Sequence, residues 1–105
     1  MLESIFQSKL IKQLETMFEG CVILNNDGNT IQGFPDLLIL YKKKWAVLEC
    51  KRSRFAIKQP NQDYYIELLG EMSFASFIYP ENKKEILNEL QHTFQPRRST
   101  RISKC

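Results

Sequence analysis

The chain has 105 residues, 43% of them hydrophobic and 26% charged, with a formal net charge of +3. That length suits one domain with one core and excludes two, and the composition excludes a chain too polar to fold. Cys21, Cys50 and Cys105 include no CxxC pair and stand beside a single histidine, which argues against a Cys/His zinc site and a disulfide framework. The expectation is a cytoplasmic protein. No cleavable leader and no apolar run of roughly 20 residues is found, so no membrane association is expected.

The charge is unevenly placed. Arg97, Arg98, Arg101 and Lys104 lie in a final stretch with no acid, and without them the body holds 11 basic and 12 acidic side chains. A basic, disordered tail over residues 95–105 is expected to follow a domain at 1–94. Such a tail suits an anionic partner such as nucleic acid, and it equally suits plain solubility.

In chain order, Leu2 to Phe18 reads as an amphipathic helix with Phe6, Leu10, Leu14 and Met17 on one face, stopped by Gly20. Cys21 to Leu24 suits a strand, and residues 25–29 are dense turn chemistry. Asp36–Tyr41 and Trp45–Lys51 are apolar runs joined by Lys42–Lys44, which predicts a β-hairpin. Apolar residues on both faces predict central strands covered on both sides. Arg52 to Gln59 reads as a polar, basic loop. A helix over about 61–72 follows, with Tyr65, Ile66 and Leu69 on one face. Phe74–Tyr79 is a strand, and Pro80-Glu81 starts a last helix through about His92, itself a surface residue. The order α-β-β-β-α-β-α predicts a mixed sheet flanked by helices, an α/β (α+β) fold. Trp45, Tyr64, Tyr65, Phe74, Phe77 and Tyr79 are expected in the core rather than as base-stacking platforms.

Charge is out of place at two points. Asp36 begins an otherwise apolar strand, and Glu49 and Lys51 sit two apart on the next, facing the same way. Burying ionised groups costs several kcal/mol per ion unless they are paired. Two carboxylates brought together across a hairpin repel unless a cation joins them. Mg²⁺ fits that need, since it prefers oxygen ligands, takes one or two carboxylates and keeps waters for phosphate. Asp36 and Glu49 share a face only if paired residue numbers sum to an odd value. A two-residue turn at Lys42-Lys43 or Lys43-Lys44 satisfies this, and a symmetric three-residue loop does not.

Pro35-Asp36, twelve residues, then Glu49-Cys50-Lys51 resembles the signature of the PD-(D/E)XK nucleases. The likeness is closer to the VRR-NUC branch, often small stand-alone phage proteins. It rests on Gly33-Phe34-Pro35-Asp36-Leu37, the Glu49-Cys50-Lys51 triplet and Gln62, and spans about residues 3–90. The resemblance implies a restriction-endonuclease-like core. It implies Mg²⁺, with Mn²⁺ as a substitute, held by Asp36, Glu49 and the main-chain carbonyl of Cys50. Lys51 would position or deprotonate the attacking water, and Gln62, which shares a helix face with Ile66 and Leu69, would reach the site. The family also places an acid on the first helix. Glu3 falls between Leu10 and Leu14 on the helical wheel and ranks ahead of Glu15.

Arg52, Arg54 and Lys58 follow the acidic strand on a loop that should border the site, so phosphate contact is expected of them. Lys42–Lys44 could touch phosphate or guard a hairpin edge. The expected activity is Mg²⁺-dependent DNA endonuclease chemistry. Stand-alone members of the branch resemble Holliday-junction resolvases, which implies branched DNA and a homodimer. The competing accounts are a non-catalytic nucleic-acid-binding protein that keeps the fold, and a nuclease acting on RNA or on ends.

Overall fold

In a computed structural model of the chain, residues 2–26 and 31–96 are described. The elements are α1 (Glu3–Met17), β1 (Val22–Asn25), β2 (Leu37–Tyr41), β3 (Lys44–Cys50), α2 (Gln62–Met72), β4 (Phe74–Ile78) and α3 (Lys83–Phe94). They follow the expected order. The four strands form one sheet in the order β1-β2-β3-β4, antiparallel except for the parallel β3–β4 pair. That parallel pair requires a crossover, and α2 supplies it.

The main core lies on one face of the sheet. Phe6, Leu10, Leu14 and Phe18 from α1 meet Ile86, Leu87, Leu90 and Phe94 from α3 over Leu37, Ile39, Tyr41, Ala46, Leu48, Cys50 and Ile78. Phe18 packs edge-on to Phe94, which stacks with Tyr41, so the two helices are joined through one aromatic cluster. α2 contacts β3 and β4; its Gln62 reaches Glu49, and Ser73, just past its end, reaches the Trp45 carbonyl. It therefore covers the other face only there. β3 is buried along Ala46–Cys50, as expected of a strand covered on both sides. β2 differs: Leu37, Ile39 and Tyr41 are buried, while Leu38 is half-buried and Leu40 exposed, because α2 on that side contacts β3 and β4.

Gly20 has φ +89° just past the end of α1. The last helix begins three residues later than expected and runs on through Phe94. Gln95, placed by the sequence at the start of the tail, is held instead by its Nε2 donating to the Tyr41 hydroxyl at 2.9 Å. Residues 97–105, with the four basic side chains of the expected tail, lie outside the described residues, as do residues 27–30 of the predicted turn. The six aromatics expected in the core are only half-buried, apart from Tyr64, which is exposed. His92 is exposed, as expected. No helix among the described residues is long and apolar enough to cross a membrane.

Candidate active site

The hairpin register decides the site. Tyr41 pairs with Lys44 and Leu37 with Leu48, so paired numbers sum to an odd value and the turn is Lys42-Lys43. Lys42 takes φ 57°, the positive φ that two-residue hairpin connections demand. Carried one step beyond Leu37–Leu48, the same register sets Asp36 opposite Glu49, on the face away from the main core.

Both carboxyls are fixed by main-chain donors. Asp36 N–H donates to Glu49 Oε1 at 3.2 Å, and Cys50 N–H donates to Asp36 Oδ2 at 3.1 Å. Glu49 is 3% exposed and Lys51 6%. Burial pushes the Glu49 carboxyl up to about 8, and the Asp36 charge adds to this while Lys51 opposes it. Burial also raises Asp36 above the ordinary carboxyl range, against the lowering effect of its hydrogen bonds and of Lys51. Desolvation and their mutual repulsion thus both work against holding the two carboxyls ionised together. A proton or a divalent cation would each relieve the repulsion between half-buried Asp36 and buried Glu49.

Gln62, at the first turn of α2, is buried and donates from Nε2 to Glu49 Oε2 at 2.9 Å, while its Oε1 accepts from Gln59 N–H at 2.8 Å. The amide is thus oriented from both ends. Lys51 Nζ lies 3.9 Å from Glu49 Oε2 and donates to the Ile57 carbonyl at 3.2 Å. Asp36, Glu49, Lys51 and Gln62 are therefore linked to one another by these bonds, through Glu49.

Glu3 is exposed at the start of α1. Its carboxyl is raised by burial and by Asp36, and lowered by Lys51 and Arg52, so it shares their electrostatic neighbourhood. Glu15 instead acts on Cys21, away from the site. Glu3 does not join the other two acids as an expected third metal ligand, however. Among the described residues no group of three or more His, Cys, Asp and Glu side chains is arranged to hold a metal. The reason is that α1 lies across the opposite face of the sheet from the paired carboxyls. The Cys50 side chain is fully buried in the main core, and burial raises its thiol strongly, so only its main chain belongs to the site.

The basic residues divide. Arg52 feels the field of Glu3. Arg54 and Lys58 line a small cleft of about 120 Å³ with Lys51, Phe77 and Tyr79. Lys58 is already engaged with Asp63 at 3.0 Å and with the face of Phe77, which reduces the charge it can offer a phosphate. Lys42–Lys44 sit at the turn end of the hairpin, roughly 17 Å along the strand from Asp36, and Lys44 Nζ donates to the Thr93 carbonyl. A hollow of about 710 Å³ between α1 and α3 contains none of the predicted site residues.

Two residues position the site in ways the sequence reading did not foresee. Asn26 N–H donates to the Asp36 carbonyl at 2.6 Å and thereby pins the start of β2 to the end of β1. Gly33 has φ +88°, and a Cβ there would lie 2.6 Å from Asn61 Cβ and 2.7 Å from the Pro60 carbonyl oxygen. The segment leading to Asp36 is thus pressed against the start of α2, which carries Gln62, and Phe34 against Tyr65 at 5.7 Å helps hold it there. The signal for Gly33 was its place in the Gly33–Leu37 segment; Asn26 gave none beyond turn chemistry. Comparison of the chain with protein-family models, with curated proteins and with solved structures returned no match.

Proposed function

We propose that the chain is a divalent-metal-dependent nuclease that hydrolyses phosphodiester bonds in DNA. The observation that carries this reading is the pairing of half-buried Asp36 with buried Glu49 on one sheet face beside Lys51 and Gln62. A structural ion pair between Glu49 and Lys51 has no use for a second acid bonded against it, and a phosphate-binding surface is weakened by clustered carboxylates. The donor set fits Mg²⁺, or Mn²⁺ as a substitute: both side chains offer oxygens, Cys50 can offer only its carbonyl, and two carboxylates leave room for waters. When bound, the metal would compensate charge on the phosphate and promote ionisation of a water. Asp36 and Glu49 act as pre-oriented ligands, since backbone N–H groups already hold an oxygen of each. Gln62 fixes the second Glu49 oxygen, and Lys51 Nζ orients the attacking water. Branched DNA as substrate and two copies for paired incisions belong to the same proposal, motivated by the resemblance and by the one such centre among the described residues.

The test is cleavage of matched linear, flapped and four-way DNA with Mg²⁺ or EDTA, by wild type, Asp36→Ala and Glu49→Gln. Cleavage by the wild type with Mg²⁺ alone is expected, and loss of a ligand should abolish it while leaving binding largely intact. Activity that survives both EDTA and Asp36→Ala sinks the mechanism. Salt-sensitive binding without cleavage by the wild type favours a non-catalytic binder.

A further inference from the structure

The loop that follows Lys51 carries the two most exposed large apolar side chains among the described residues, Phe55 at 81% and Ile57 at 82%. Isolated apolar residues on a surface need no explanation, but these two stand within three positions, on a loop with Arg52, Arg54 and Lys58 and no acid. The backbone that displays them is fastened. Phe55 N–H donates to Ser53 Oγ and Ala56 N–H to the Ser53 carbonyl, both at 3.2 Å. Arg54 N–H donates to Glu81 at 3.3 Å, the Ile57 carbonyl accepts from Lys51 Nζ, and Gln59 N–H donates to Gln62. The Arg54 guanidinium lies 5.2 Å from the centre of the Phe55 ring. Two site residues, Lys51 and Gln62, are therefore bonded to the same loop that holds Phe55 and Ile57 in water.

We infer that this loop is a stacking wedge: Phe55 and Ile57 pack on an unpaired DNA base next to the phosphate at Asp36 and Glu49, while Arg52 and Arg54 hold the adjoining backbone. The inference rests on reading the site as a nuclease centre and specifies which DNA it selects. Charge complementarity identifies the occupant, because cations interleaved with apolar side chains match a strand whose phosphates alternate with exposed base faces. A fully paired duplex offers no free base face unless a step is unstacked, which costs energy. The wedge thus favours flaps, gaps and branch points over continuous duplex.

The experiment uses a duplex with a single-stranded flap whose first unpaired base is 2-aminopurine, and the same duplex fully paired, with Ca²⁺ in place of Mg²⁺. Wild type is expected to quench the fluorophore and to bind the flapped form about 10-fold more tightly than the paired one, the size of one base–aromatic stack. Phe55→Ala/Ile57→Ala, which alters only exposed side chains, should lose the quenching and the preference. Its affinity for paired duplex should change less than about 2-fold, since phosphate contacts remain. Phe55→Trp should keep both effects. Equal binding of the two forms by wild type, no DNA binding, undiminished quenching in the double variant, or equal weakening on both forms overturns the wedge. Mg²⁺-dependent cleavage is read separately: a wild type that stacks without cleaving keeps the wedge and overturns the nuclease, and one that cleaves with an unaltered preference in the double variant does the reverse.

Discussion

Asp36 and Glu49 each hold the other's strand: the Glu49 carboxyl accepts from the Asp36 main chain, and the Asp36 carboxyl accepts from the main chain of Cys50, beside Glu49. The two acids are thus built into the hairpin ladder at the point where β2 begins. Removing one leaves a backbone N–H on the opposite strand without its acceptor, so structural and chemical roles must be separated by choice of substitution.

Asp36→Ala strands the Cys50 N–H and should cost about 1–3 kcal/mol in stability. Asp36→Asn keeps an acceptor and removes the charge that raises Glu49, so it should unfold at least as late as wild type near pH 8. Both should be inactive, because a neutral amide is a poor substitute for a carboxylate on Mg²⁺. Denaturant unfolding beside cleavage checks this, and full activity in the Asn variant contradicts the ligand role.

Burial, with the Asp36 charge, pushes the Glu49 carboxyl up to about 8 from its ordinary 4.5. The folded state holds the carboxyl proton more tightly than the unfolded chain does. Its stabilisation is therefore complete below about pH 4.5 and is lost as pH rises through about 8. In EDTA, the contribution of Glu49 to Tm should fall from about pH 4.5 to about 8 and level off above that. Mg²⁺ competes with the proton, so the rise in Tm on adding Mg²⁺ should grow over the same interval. Thermal scans at matched ionic strength read both, and an increment from Mg²⁺ that shrinks with pH would falsify the linkage.

Gln62→Ala leaves Glu49 Oε2 and Gln59 N–H without partners, and should lower metal affinity or activity about 10- to 100-fold, as loss of a ligand's orienting partner commonly does. Gln62→Glu sets a third carboxyl against Glu49 and should be worse. Activity titrated against Mg²⁺ separates weaker binding from slower turnover. A Glu variant as active as wild type removes Gln62 from the site.

Gly33→Ala meets two obstacles, φ +88° and contacts of 2.6–2.8 Å with Pro60 and Asn61. A penalty of about 1–3 kcal/mol is expected from the backbone conformation alone. Since the clash lies between the Asp36 segment and the start of α2, cleavage should fall by more than global unfolding explains. Gly20→Ala is the control, sharing positive φ with nothing within 4 Å, and should affect stability alone.

Much of the fold follows from local pattern, because helical and strand periods are properties of neighbouring residues. Leu10 and Leu14 recur at helical spacing and are both fully buried, and Glu49 and Lys51 share a face through the two-residue repeat of a strand. The pattern misled at Leu38 and Leu40. Their apolar character suggested a covered face, yet coverage depends on where α2 crosses, and it crosses β3 and β4. Similarly, "polar, basic loop" described the residue count of 52–59 but not that Phe55 and Ile57 would find nothing to bury them.

By itself the sequence determined the elements, their order, and the side chains with chemistry to offer, Asp36, Glu49, Lys51 and Gln62. It also stated the condition for the two acids to meet, an odd-sum hairpin register. Only the tertiary structure decided that the turn is Lys42-Lys43 and so meets that condition. It also decided that Glu3, though within the field of Asp36, completes no metal-holding group of three among the described residues, and that Gly33 brings the Asp36 segment against the helix bearing Gln62. The physical reason is range: propensity and periodicity act over a few residues, whereas register, helix crossing and close backbone approach are set by packing between segments far apart in the chain.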